Sequence, residues 1–290
     1  MMKLRITWFD SIIVLVICLI SLLVILPFLY IIAVSFSPPG DSLAGNFFIW
    51  PKHWTFDAYA YLLKADTFMT SVQNSVLITA LGTCLSLFVS ITLAYALSKK
   101  FLPGRRVMLL FIFFTMIFHG GMIPSYLVVK NLGLIDSYWA VVLPAASSAF
   151  NILVIRSFFQ SLPESLDEAA RIDGAGEFRI LYSVVLPLSK PIIATFTLFF
   201  MVQFWNEFFS AVIYLNDTSR WPIQPLLRQM VAISASNISA EAAVDAQLAA
   251  NLGPNVQNAA ILLAMLPIVI VYPFLQKYFA KGAMLGSIKE

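Results

Sequence analysis

The sequence predicts an all-α polytopic membrane protein with six transmembrane helices. Three observations carry this. The chain is 60% hydrophobic, 11% charged and has a mean hydropathy of +0.87. Ordinary soluble domains carry roughly 25% charged residues, and a fold this apolar cannot cover itself with polar surface. Six apolar runs recur, each near the roughly 20 residues that cross the hydrocarbon core. They lack the ten-residue alternation of barrel strands, so helices are the structures that satisfy their backbone in lipid. Finally, the basic residues sort to one side of those runs, as described below.

The first run, Ser11 to about Ser35, has no charge. It is too long for a signal-peptide core and no small-residue cleavage site follows, so it is expected to stay as a membrane helix. The second runs from about Val72 to Ser98. In it Gly82, Ser86, Ser90, Ala94 and Ser98 recur every four residues, a stripe along which another helix, or a second subunit, can approach closely. The third, Val107 to about Val128, is interrupted by His119-Gly120-Gly121 and Pro124, and a kink is expected there. The fourth runs from Tyr138 to Ile155. The fifth, Pro191 to about Leu215, places Gln203, Asn206, Glu207, Ser210 and Tyr214 at helical spacing on one face. An ionisable group inside a span is costly and normally faces protein or water. Two readings stand: this face lines a hydrophilic substrate path, or Glu207 reaches the outer interface or bonds a neighbouring helix. Asn74 is a weaker path candidate, near the outer end of the second run; a helix–helix hydrogen bond is its alternative. The sixth run spans Asn258 to about Lys277.

Of 18 Lys and Arg residues, thirteen fall in the termini and the connections on one side and five on the other. Basic residues favour the cytoplasmic side, so both termini are expected in the cytoplasm. The whole of 1–290 reads as one transmembrane domain. The outer connections are Phe36 to Ser71, with interface aromatics Trp50, Trp54, Tyr59 and Tyr61; Val129 to Ser137; and a long polar loop, 216–257, in which Ser239 to Asn251 is expected to form a short helix.

Several function classes are excluded or left without support. A net charge of +3 gives no reason to expect nucleic acid. Cys18 and Cys84 lie in apolar runs and His53 and His119 are far apart, so neither a disulfide framework nor a metal site is expected. No HExxH, GxSxG or GxxxxGK[ST] pattern occurs, so no catalytic residue is named and the chain has no phosphate-binding loop of its own.

The segment 161–187, SLPESLDEAARIDGAGEFRILYSVVLP, stands out: five acids and two arginines on the cytoplasmic side. Pro163 suits a first helical turn, Glu164, Asp167 and Glu168 favour the helix dipole, and Gly174 suits a left-handed stop. Two short helices joined at Gly174 to Gly176 are expected. Such an element either docks on another protein or merely returns the chain to the membrane.

This segment resembles the signature of ABC importer permeases: Glu168-Ala169-Ala170, Gly174, then Val184-Val185-Leu186-Pro187, with Val184 where isoleucine is usual. The resemblance extends over nearly the whole chain, through NSVLITALGTCLSL, GGMIPSYLVVKNLGLIDSYWAVVLP, FWNEFFSAVIYLND, WPIQPLLRQMV and the tail YPFLQKYFAKGAMLGSIKE. It is similar to sugar-type permeases related to the smaller maltose-system subunit, within the oligo- and polysaccharide subgroup that includes alginate importers. That resemblance implies the ABC importer permease (MetI-like) fold and a transport subunit rather than an enzyme, in the bacterial inner membrane. It implies coupling to an ATPase through Glu164, Asp167, Glu168, Ala169, Ala170, Arg171, Asp173, Gly174 and Pro187. It further implies a second homologous permease, two cytoplasmic ATPase subunits holding ATP and Mg, and an extracytoplasmic solute-binding protein. By similarity the loop 216–257 reaches that binding protein, and the tail from Lys281 reaches the ATPase. A secondary transporter or channel driven by an ion gradient is the alternative, prompted by Glu207. Neither residues nor resemblance choose between a neutral and an acidic sugar.

Overall fold

The structure, a computed structural model, describes residues 8–43, 48–236 and 253–287. The described residues are helices and connections, with no strand among them. The helices are α1 (Trp8–Ser35), α2 (Pro39–Leu43), α3 (Asp57–Lys64), α4 (Asp66–Ser98), α5 (Arg105–Ile117), α6 (Met122–Asn131), α7 (Tyr138–Ala145), α8 (Ala149–Ser161) and α9 (Glu164–Ile172). Then follow α10 (Glu177–Leu188, with a π turn at Leu181–Val185), α11 (Lys190–Trp205), α12 (Phe209–Tyr214), α13 (Ile223–Ser236) and α14 (Pro254–Ser287). Contacts group the chain into two compact units, one of Met1–Met69 with Leu227–Leu266 and one of Thr70–Leu226 with Pro267–Glu290.

Three helices are each long and apolar enough to cross a membrane: α1, α4 and the Pro254–Pro273 part of α14. The other expected spans are broken. α5 and α6 are bent by 119° at Phe118–Gly121, where Phe118 is extended and Gly121 has φ +85°. Sequence had led us to expect a kink at this place; the structure makes it a sharp turn. α7 and α8 are bent by 51° across Ala146–Ser148, just after Pro144. The expected fifth span, Pro191 to about Leu215, divides into α11 and α12, and α11 in turn meets α10 at 85° at Ser189.

In the first unit, the connection after α1 is organised by aromatic rings. Phe36 stacks on Tyr59 at 4.8 Å and touches Trp54 and Phe56, and the Tyr59 hydroxyl meets Ser35 Oγ at 2.8 Å. Burial pushes the Tyr59 hydroxyl's pKa up.

The second unit has a continuous apolar core that includes Ile78, Leu97, Ile152, Phe159, Ile180, Phe196, Phe200 and Phe204. α4 is its axis. The expected small-residue stripe faces inward: Ser86, Ser90 and Ala94 have no exposed surface, and a Cβ added to Gly82 would lie 2.6 Å from the Phe204 ring on α11. The serines serve by their size, since the hydroxyls of Ser86 and Ser90 find no hydrogen-bond partner among the described residues. Cys18 and Cys84 are free and on the outer surface. The expected short helix at 239–251 lies outside the described residues, whereas α13 fills 223–236 of the same loop. α14 continues past its apolar stretch to Ser287.

Candidate functional site

The segment 161–187 folds as two helices around a glycine turn, as expected. Pro163 sits immediately before α9 instead of inside its first turn. Glu164 and Asp167 fall in the first turn and Arg171 in the last. The end of α9 is a Schellman motif. Gly174 takes φ +76°, its N–H donates to Arg171 O at 3.0 Å, and Ala175 N–H donates to Ala170 O at 3.0 Å. Nothing lies within 4 Å of a Cβ placed on Gly174, so the glycine is required by its backbone angle alone. α10 begins at Glu177, after an extended Gly176.

The candidate coupling residues divide into two faces. The inner one fastens the segment to the end of α4. Asp167 pairs with Lys99, whose side chain is only 10% exposed and whose Nζ lies 4.4 Å above the Tyr95 ring. Tyr95 donates its hydroxyl to Glu177 Oε2 at 2.8 Å, and Arg171 donates to Glu177 Oε1 at 2.8 Å while lying over the Phe101 ring. Glu164 reaches Lys100 at 2.5 Å, but both side chains are more than 70% exposed, and such pairs contribute only about 0–1 kcal/mol. Ala170 and Ala175 pack on the core. α4 itself is capped by two guanidinium groups: Arg105 Nε and Arg156 Nε both donate to Leu97 O at 2.9 Å.

The outer face carries Glu168, Ala169 and Asp173, all exposed, together with large apolar side chains left uncovered: Ile172 at 86% and Phe178 at 88% exposure, with Tyr182 beside them in sequence on α10. Apolar groups this open beside carboxylates form a surface suited to a partner with apolar pockets and cations. Pro187 lies in the last turn of α10.

The substrate-path candidates do not share one helix face. α11 stops at Trp205 and α12 starts at Phe209. Asn206 turns its side-chain amide back onto Val202 O at 2.8 Å, and Glu207 Oε1 accepts the N–H of Ser210 at 2.9 Å, capping α12. Side chains that bond nearby backbone offer it an alternative to the helix, which is the physical reason for the break. Gln203 and Asn206 are exposed, Glu207 and Ser210 half-buried, and Tyr214 buried against Tyr126 at 6.2 Å. Asn74 is buried with its amide committed: it donates to Ser219 O and Trp221 O and accepts from the Tyr138 hydroxyl.

Asn74 thus belongs to a fastening that sequence reasoning missed. Ser75 Oγ accepts the N–H of Ile223 at 2.7 Å, and Asp136, at φ +59°, accepts from Asn216 N, Asn216 Nδ2 and Asp217 N. The bond from the Asp217 N–H, with those from Asn216, holds the Asp136 carboxyl below its usual range; the hydroxyl and N–H of Ser219 do the same for Asp217. Arg220 donates to Asp136 O. The legible signal was Gly133 with Asp136-Ser137, a turn composition. Among the described residues no group of His, Cys, Asp or Glu could hold a metal ion.

Comparisons with known proteins agree with this geometry. The family described as "binding-protein-dependent transport system inner membrane component" matches residues 86–284. Protein LplC of Bacillus subtilis is 47% identical over 93% of this chain and 91% of its own. The polygalacturonan/rhamnogalacturonan transport system permease protein YtcP of the same organism is 43% identical over 97% and 98%. A crystal structure of a bacterial ABC transporter involved in the import of the acidic polysaccharide alginate has a chain that superposes with a TM-score of 0.86 at 33% identity, covering 96% of this chain and 99% of that one. With its all-helical membrane fold and its signature segment in place, the chain belongs to the inner membrane components of binding-protein-dependent transport systems, the sugar ABC transporter permeases, and is a transport subunit rather than an enzyme.

Proposed function

We propose that this chain is one of two homologous permease subunits of an ATP-driven importer of acidic oligosaccharides, lying in the bacterial inner membrane. It crosses six times, three of the passages being bent, with both termini and the segment 161–187 on the cytoplasmic side. Two cytoplasmic ATPase subunits hold the ATP and Mg. They dock on Glu168, Ala169, Ile172, Asp173 and Phe178, while Asp167, Arg171 and Glu164 brace that surface from behind. An extracytoplasmic binding protein delivers the sugar to the side that bears 216–257. Gln203, Asn206, Glu207 and Ser210, at the break between α11 and α12, border the path; Asn74 and Tyr214 hold its wall.

The observation that carries the reading is the exposed apolar and acidic face of α9 and α10 beside a Schellman stop at Gly174, within the family's signature. The substrate class is supported by the cargoes in the names of the relatives: polygalacturonan and alginate are both polymers of uronic acids. The gradient-driven alternative loses its motive, because Glu207 caps α12.

The test is uptake into proteoliposomes holding this chain with its partner permease and ATPase, supplied with the binding protein. Labelled oligogalacturonate or alginate oligosaccharides should enter only with ATP. Entry of a neutral maltooligosaccharide in their place would overturn the substrate class, and entry without ATP would overturn the energy source.

A further inference from the structure

The contacts at the inner end of α4 do more than hold one helix. Lys99, just past the last turn of α4, grips Asp167 on α9, before the glycine turn. Tyr95, one turn earlier, grips Glu177 on α10, after that turn, through the carboxylate at 2.8 Å and the carbonyl at 3.2 Å. Arg171 closes the circuit by bonding the other oxygen of Glu177, with its guanidinium 4.7 Å from the Phe101 ring in the connection leaving α4. Both arms of the hinge at Gly174–Gly176 are therefore clamped to the same helix end. α9 and α10 cannot fold or open against one another unless one of these contacts breaks. That end is stiffened in turn, since Arg105 and Arg156 both bond Leu97 O.

The other end of the same helix is fastened too. Asn74 and Ser75 hold the segment 219–223 by three hydrogen bonds of 2.7–3.1 Å. From Ser75 to Ser98, α4 runs about 35 Å at 1.5 Å per residue, without a proline or a break. A rod clamped at both ends passes a displacement from one to the other.

We infer that Tyr95 and Lys99 are positioning residues for energy coupling: they lock the ATPase-docking hinge to α4, so that its movement carries α4 and, through Asn74 and Ser75, the outer segment 219–223. The inference rests on the importer reading above and adds the residues through which movement leaves the docking surface. Both side chains are largely covered by their own chain, Tyr95 at 7% and Lys99 at 10% exposure.

The experiment uses the full complex in proteoliposomes, with ATP hydrolysed per sugar imported as the readout. Lys99→Met and Tyr95→Phe should each raise that ratio about fivefold or more, the lower end of ordinary coupling energies. The complex should still copurify, because the core beneath is untouched. The charge exchange Lys99→Asp with Asp167→Lys should restore the ratio, which a general loss of packing would not allow. ATP-dependent change in thiol labelling of Ser219→Cys should vanish in Lys99→Met. If Lys99→Met does not assemble, Tyr95→Phe decides alone, since it removes one hydroxyl and keeps the ring under the ammonium. An unmoved ratio with intact uptake sinks the brace alone, as does a raised ratio that the exchange leaves raised. Absence of ATP-dependent uptake in the unaltered complex sinks the importer reading first.

Discussion

Gly82 and Asp136 show how single positions support this membrane fold. At Gly82 the missing Cβ lets the Phe204 ring lie against the α4 backbone, 2.6 Å from where that Cβ would be. Gly82→Val should overpack the crossing of α4 and α11 and cost about 1–3 kcal/mol, read as a lower unfolding midpoint in detergent; an unchanged midpoint contradicts the contact. Asp136 works by charge. Its carboxyl and that of Asp217 are held below the usual value by hydrogen bonds to the ionised form. Depressed folded values mean a contribution present in full above about pH 4 and lost as pH falls through the folded values below it. Amide exchange at Asn216 and Asp217, corrected for its intrinsic pH dependence, should therefore quicken only in strong acid. In Asp136→Asn it should be fast already at neutral pH. Of the candidates named in advance, Gly174 was fully legible, because a helix stop with nothing to pack against asks only for a residue tolerant of positive φ. Lys99 and Tyr95 were missed, although their i, i+4 spacing before Lys100 was visible. Their partners lie 68 and 82 positions away, and long-range pairing leaves no local pattern.

At the scale of elements, α9 and α10 separate support from recognition. Ile172 and Phe178 are among the most exposed apolar side chains of the described residues. Phe178→Ser should leave insertion and the unfolding midpoint nearly unchanged, within about 0.5 kcal/mol. Copurification of the ATPase with the permease should fall sharply; full retention would place the docking surface elsewhere. Apolar run length marked the candidate spans but not which of them stay unbroken. The break after Trp205 arises without glycine or proline, from Asn206 and Glu207 bonding nearby backbone, and such competition is decided by tertiary context. The helix α13 was readable in hindsight: Ile223, Leu226 and Met230 recur at i, i+3 and i+7 and are buried, with Pro225 in the first turn.

For the whole molecule, the fold class was plain from composition, because an apolar fraction of 60% leaves one solvent that fits. Direction in the membrane rests on charge and is tested on a chain freed of Cys18 and Cys84. A cysteine at Ser219 should react with an impermeant thiol reagent from outside intact cells, and one at Asp173 only after lysis. The reverse pattern would invert the proposed topology.

The turn between α5 and α6 bears on how the protein is made. α5 has 13 residues, about 20 Å of helix, against a hydrocarbon layer of about 30 Å. Such a helix cannot leave the insertion machinery as a self-sufficient rod, because the turn after it would strand backbone amides in lipid. It needs a companion, and α8, with which it packs, is synthesised more than 30 residues later. The ribosome must therefore deliver α8 before α5 settles, and biogenesis of the second unit becomes a joint event instead of a sequence of independent insertions.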